Sequence, residues 1–234
     1  RLLQIAQRTP AAQVNTLLVM PTWRAGLMDE RVAQSSAAGR MAAFAASEYA
    51  KHWRALLRND ELHDLAERHG QRIVFMPHFD AAPYIDAFDL PARVSVVTAE
   101  IGSVQQVFAR SAGFITDYTA VAFDMAFLRL PVFYYQFDRE LGDSGVHKGR
   151  PGYFAYDRDG FGPVALTEKE LLEQLRRYFS NDAQPEPVYL ARMERAMPDR
   201  DDQACRRVFE SIVKLRRPVA AEQPEIQSVA GGQC

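Results

Sequence analysis

Between Leu17 and Tyr135 the chain repeats one pattern: a short apolar run that stops at a proline or a polar residue, then a stretch of helical period. Leu17-Leu18-Val19-Met20 halts at Pro21, and Arg72-Ile73-Val74-Phe75-Met76 halts at Pro77. Both read as buried strands that end in loops. Val94–Thr98, Gly113–Thr116 and Val132–Tyr135 repeat the pattern. Helical spacing predicts helices over Ser36–Leu57, Asp60–His69, Ser103–Arg110 and Thr119–Leu128, with Gly70 ending the second. Short connections between alternating strands and helices require a parallel sheet covered on both faces, because each crossover needs a helix to bring the chain back. The expected fold is a doubly wound, Rossmann-like α/β sheet. After Asp138 a long glycine-rich loop is expected to run to Val164, followed by helices over Glu168–Phe179, Val188–Ala196 and Asp202–Lys214.

The 234 residues suffice for one full core at roughly 100–200 residues per domain. The net charge of -2 shows no basic excess of the kind that nucleic acid selects, so any anionic ligand must be held locally. Two cysteines, Cys205 and Cys234, make neither a disulfide framework nor a metal-ligand spacing, and they fit a reducing, cytoplasmic setting. No apolar run approaches the roughly 18 residues that span a bilayer. A chain that opens on Arg1 and soon enters a strand reads as a piece of a longer protein. Residues 1–217 are expected to form one lobe, and 218–234, with little periodic apolar content, a disordered tail.

In open parallel sheets ligands bind where the strands end and helix N-termini gather. That rule selects Thr22 and Arg24 after the first strand, His78 after the second, Glu100 and Ser103 after the third, and Thr116, Asp117 and Thr119 after the fourth. Arg150, in the glycine-rich loop beside His147 and Lys148, is a candidate clamp. The turn at Thr116–Thr119 runs from an apolar strand straight into a helix, where free N–H groups and partial positive charge suit phosphate. Plain capping accounts for the same residues. Arginine offers a planar fork for phosphate, and a histidine on this rim offers a single hydrogen bond that strengthens on protonation. A solvated arginine and a loop histidine bonded to backbone are the bland alternatives. His52, His63 and His69 lack thiolate or carboxylate companions of metal-site type and read as surface positions, so no metal or cofactor is expected. The basic residues Arg206, Arg207, Lys214, Arg216 and Arg217 read as a solvated helix face, with anionic lipid as a further option.

Ile115-Thr116-Asp117-Tyr118-Thr119-Ala120 with Phe123-Asp124 resembles the Thr-Asp-Tyr-Ser-Ser segment and trailing Phe-Asp of the CDP-glycerol glycerophosphotransferases. Met20-Pro21-Thr22-Trp23-Arg24, Met76-Pro77-His78, Phe133–Asp138, Gly149-Arg150 with Gly152-Tyr153-Phe154, and Gly162-Pro163 resemble that family's other segments, in family order. The resemblance implies the C-terminal, nucleotide-binding lobe of a glycosyltransferase-B fold. It implies transfer of glycerol phosphate from CDP-glycerol to a polymer (polyol-phosphate) or lipid-linked hydroxyl, met through an N-terminal lobe, with release of CMP, in the cytoplasm with peripheral contact at the inner membrane face as a further option for the whole protein. His78 matches a histidine that contacts the donor phosphates and is the catalytic candidate. Two features depart from the pattern. Ala120 stands where the family has a second serine, and the histidine of a His-Gly-Thr-Pro-like segment has no counterpart here. The piece alone is therefore expected to bind donor without turning it over. A lobe for UDP- or GDP-sugars, or a non-catalytic nucleotide-binding module, would use the same architecture.

Overall fold

The computed structural model describes residues 1–24, 26–28, 30–98, 103–141, 153–181 and 183–215. By its contacts the chain divides into Arg1–Arg200 and Asp201–Cys234. The larger unit carries strands β1 (Thr16–Val19), β2 (Arg72–Phe75), β3 (Ser95–Val96), β4 (Ser111–Thr116), β5 (Val132–Tyr135) and β6 (Val164–Ala165). They form one sheet in the order β3-β2-β1-β4-β5-β6, and every pairing is parallel. The expected doubly wound sheet is what the chain adopts. Strand order reverses between β1 and β4, where Val19 pairs with Ile115, so a crevice is expected at that switch point.

Helices α1 (Leu2–Arg8), α2 (Glu30–Ala33), α3 (Ala37–Ala46), α4 (Glu48–Arg58), α5 (Asp60–Arg68), α6 (Val104–Ala109), α7 (Val121–Leu128), α8 (Arg139–Leu141), α9 (Tyr156–Asp159), α10 (Glu168–Ser180) and α11 (Pro187–Ala196) complete this unit. Leu17, Val19, Phe75 and Ile115 pack with Phe44, Trp53, Leu56 and Leu57 on one sheet face. Leu18, Val74 and Phe114 pack with Met125, Tyr134 and Phe161 on the other. This alternation along β1, apolar on both sides, explains why its sequence is an unbroken apolar run.

Several expectations need correction. The helix expected over Ser36–Leu57 is two helices, broken at Ser47, whose backbone turns extended (φ -66, ψ 148) and whose hydroxyl accepts from the Ala50 N–H. A serine that can cap competes with helix continuation. The stretch after β2 is a 3₁₀ segment, Phe79–Phe88, kinked at Tyr84. The loop expected to Val164 contains α9, and β6 follows at its end. His63 is a core residue: its Nε2–H donates to the Leu57 carbonyl at 2.8 Å, and burial lowers its pKa. His52, 41% exposed, and His69, exposed, keep the expected surface positions, the first packed on Phe137 and bonded to the Tyr135 hydroxyl, the second stacked on Phe179. The second unit contributes α12 (Ala204–Leu215), with Arg206 paired to Glu210 and Arg207 to Asp201. Val208, Phe209, Ile212 and Leu215 are exposed on it. The expected tail, 218–234, lies outside the described residues.

Gly162 brings β6 against β5: a Cβ there would meet the Val132 carbonyl oxygen at 1.6 Å. Gly162→Ala is expected to lower unfolding free energy by more than about 2 kcal/mol, because backbone must move. Gly26→Ala, with nothing within 4 Å of its Cβ, should shift it by under about 1 kcal/mol. Urea denaturation of both variants checks the contrast; equal midpoints would contradict it.

Candidate functional site

Arg24 follows the end of β1 and is 3% exposed. Its Nε donates to Asp138 Oδ2 at 2.6 Å and its Nη2 to Asp138 Oδ1 at 3.2 Å. Its Nη1 donates to the Thr22 carbonyl at 2.7 Å and lies 2.8 Å from Asp117 Oδ2. The guanidinium also packs over the Tyr118 and Tyr49 rings, 4.9 and 5.4 Å from their centroids. Burial opposes the charge, but the fields and hydrogen bonds of Asp117 and Asp138 outweigh it and raise the arginine pKa. Asp117, fully buried after β4, also accepts the N–H groups of Thr22 and Tyr118 at 2.9 and 2.7 Å. Gln136, after β5, donates to the Asp117 carbonyl at 3.0 Å, and the Thr116 hydroxyl donates to the Met20 carbonyl at 2.7 Å. The Tyr118 hydroxyl donates to Asp138 at 3.1 Å, and burial together with that carboxylate raises its pKa.

Arg24, Thr116 and Asp117 were expected to face a diphosphate, and the structure turns all three inward. Their polar groups are engaged in lashing the ends of β1, β4 and β5 together. A carboxylate beside an arginine is the cheaper arrangement for both when water is excluded. Thr22 contributes backbone to this cluster, while its buried hydroxyl oxygen has no hydrogen-bond partner among the described residues.

The rim holds a different set. His78 begins the 3₁₀ segment, and its Nδ1 accepts the Asp80 N–H at 3.3 Å. In the neutral ring that bond leaves the proton on Nε2, which has no hydrogen-bond partner among the described residues. The imidazole stacks against Trp23 at 6.3 Å and Phe79 at 4.3 Å, so the β2 loop sits against the β1 loop that carries Arg24. Thr119 accepts the Val121 N–H at 3.2 Å, which caps the first turn of α7. The N–H groups of Thr119 and Ala120 themselves find no acceptor among the described residues. Ser103 begins α6 without a side-chain cap bond. Glu100 and Arg150 lie outside the described residues. Thus His78, Trp23 and the Thr119 turn gather at one edge, and Arg24, Thr116 and Asp117 form the frame beneath them. Asp138, Tyr118, Gln136 and Tyr49, which complete this frame, are not singled out by the sequence pattern. The signal for Asp138 was present: a carboxylate just past a buried strand, on the edge that also receives an arginine.

Replacing Arg24 by leucine would strand two carboxylates in a water-poor cluster. The expected loss of unfolding free energy is about 3–5 kcal/mol, with Arg24→Lys recovering only part, since an ammonium lacks the fork that reaches both partners. Urea titration measures this; a loss under about 1 kcal/mol for the leucine variant would contradict the geometry.

The sequence matches the family described as CDP-glycerol:poly(glycerophosphate) glycerophosphotransferase over residues 4–214. It is 28% identical over 199 residues to the minor teichoic acid biosynthesis protein GgaB of Bacillus subtilis (strain 168), a match covering 85% of this chain and 21% of that protein. The structure is similar to that of the wall teichoic acid polymerase TagF, with a TM-score of 0.55, 20% identity, and coverage of 91% of this chain and 47% of TagF. A TagF variant soaked with CDPG gives a TM-score of 0.55 over 46% of its length. At that identity the likeness establishes the fold, and the chain spans less than half the length of these relatives. The match over nearly all the described residues, on a sheet whose switch point is framed by the expected segments, places this chain in the CDP-glycerol glycerophosphotransferase family.

Proposed function

We propose that this chain is the donor-binding lobe of a CDP-glycerol glycerophosphotransferase, with the diphosphate lying across the switch point between His78 and the N-terminus of α7. The observation that carries this reading is a pair of donor sets on one edge that have no acceptor among the described residues: the Nε2 of His78 and the N–H groups of Thr119 and Ala120. Partial positive charge at a helix start favours an anion there, and His78 adds a hydrogen bond that gains strength if the ring is protonated. Thr22, Ser103 and Thr119 supply hydroxyls near the strand ends, and Glu100 and Arg150 belong to the same reading as base-side and clamp residues.

In the reaction, an acceptor hydroxyl attacks the glycerol-bearing phosphorus of CDP-glycerol. A new P–O bond forms, the bond to the bridging oxygen breaks, and CMP leaves with that oxygen. Most of the charge in such a transition state stays on phosphate oxygens, so what this lobe supplies is positioning and hydrogen-bond donation. The base that takes the acceptor proton belongs to the other lobe of the whole protein, and this piece alone binds donor without turnover. The acceptor is a polymer or lipid-linked hydroxyl, met at the cytoplasmic face of the membrane. In support of a membrane contact, α12 exposes Phe209 and Leu215 on a helix that also carries Arg206 and Lys214.

Isothermal titration of this chain with CDP-glycerol is expected to show binding, which His78→Ala weakens by about 1–3 kcal/mol, the size of a lost hydrogen bond to a charged group. UDP and GDP conjugates should bind more weakly. Equal affinity of parent and variant would remove His78 from the site, and preference for another base would remove CDP-glycerol.

A further inference from the structure

Two cavities adjoin beside the start of α7. The first, of 230 Å³, opens at Thr119 and Ala120 and is walled by aromatic rings. The second, of 420 Å³, shares Phe123, Tyr153 and Phe154 with the first and ends on Arg158, Arg192 and Arg195. The rings form a continuous wall: Tyr118 meets Tyr156 at 5.8 Å, Tyr156 meets Phe154 at 5.3 Å, and Phe154 meets Phe123 at 5.3 Å. At its inner end the wall is fixed to the switch point through the Tyr118 hydroxyl on Asp138.

The far end is built and positively charged. Arg192 donates to the Gly160 and Asp157 carbonyls at 3.1 and 3.0 Å, which holds the turn after α9 in place. Asp159 accepts Arg158 at 2.7 Å and the Ala155 N–H at 2.9 Å, and Arg195 stands 3.6 Å away. Those bonds, Arg158's foremost, pull the Asp159 pKa down to about 2, so it stays ionised at neutral pH. It is nonetheless the one carboxylate among the residues lining this cavity, against three arginines. Asp157, behind Arg192, is itself paired to Arg139. The excess of positive charge is local, in a chain whose net charge is -2. Arg158 and Arg195 are 68% and 67% exposed; Arg158 spends its Nε and Nη2 on Asp159 and the Tyr153 carbonyl, and its Nη1 and the fork of Arg195 are the donors left to meet a ligand among the described residues.

We propose that this aromatic groove with its arginine end holds the acceptor as a polyol-phosphate chain, its terminal hydroxyl reaching the donor phosphate at the α7 N-terminus; this rests on the donor-binding reading above. The chemistry of such a chain matches both parts of the groove. Phosphodiester anions pair with guanidinium forks, and the C–H faces of the intervening polyol carbons lie against aromatic rings. The groove leads away from the turn assigned to the donor, so donor and acceptor do not compete for one anion site.

Fluorescence anisotropy with a labelled, short poly(glycerol phosphate) oligomer tests this on the full 234-residue chain. The double substitution Arg158→Gln with Arg195→Gln is expected to weaken oligomer binding roughly tenfold or more, as for losing charge-assisted hydrogen bonds. CDP-glycerol affinity should stay within about twofold, because neither arginine touches the donor turn. Arg195→Glu alone, at a residue with only the distant Asp159 pairing, should weaken the oligomer as well and guards against a loosened turn at Arg158. Failure of the parent to bind the oligomer, or unchanged binding by both variants, would overturn the proposal. So would equal binding of uncharged polyglycerol or of inorganic polyphosphate, since either removes one half of the recognition. If the oligomer binds in this arginine-dependent way while CDP-glycerol does not bind, the donor reading fails and the groove remains a polyol-phosphate site.

Discussion

One guanidinium holds the strand ends at the switch point of this protein together. Arg24 sits where water is excluded, and its donors reach Asp117 after β4, Asp138 after β5 and the carbonyl of Thr22 in its own loop. Buried charge is tolerated only when it is paired and hydrogen-bonded, so each carboxylate requires the arginine and the arginine requires both. The loops at the switch point therefore have one low-energy arrangement. Aromatic rings complete the cage: Tyr49, Tyr118 and Phe137 surround the guanidinium, and Trp23, next in sequence, carries the constraint to His78.

That division of labour explains why the rim is free to bind. Because the frame satisfies its own charges, the groups left over at the edge are donors without acceptors among the described residues: His78 Nε2 and the N–H groups of Thr119 and Ala120. A rigid frame with unfilled donors above it suits an anion that arrives already carrying its charge, since little reorganisation is needed on binding. Ala120 in place of a serine costs the turn one hydroxyl but leaves its backbone N–H groups in position.

The sheet was legible because its strands are apolar on both faces, a pattern that only a covered parallel sheet uses, and because prolines follow Met20 and Met76, whose N–H groups make the last bonds to the neighbouring strands. The candidate list fared unevenly for a physical reason. Sequence places Arg24, Thr116 and Asp117 at strand ends, yet it cannot say whether a polar side chain there turns outward to a ligand or inward to a neighbour. That choice depends on partners distant in the chain, with Asp138 standing 114 positions from Arg24. His63 illustrates the same limit: one carbonyl, at Leu57, suffices to keep an imidazole in the core. Ser47 could not be read as a break because a serine inside an alanine-rich stretch caps or continues a helix according to what packs beside it. The aromatic wall from Tyr118 to Phe154 was invisible for the opposite reason, since residues far apart in sequence become a surface only once β4, α7 and α9 converge.

Under the proposed function, the edge between His78 and α7 receives a diphosphate. Titrating the ¹⁵N-labelled chain with CDP-glycerol, and following amide and imidazole resonances, observes that edge directly. Saturable shifts are expected at the Thr119 and Ala120 amides and at the His78 ring nitrogens, with the buried Arg24 side chain little changed. Shifts confined to other parts of the sheet, or none at saturating ligand, would contradict it.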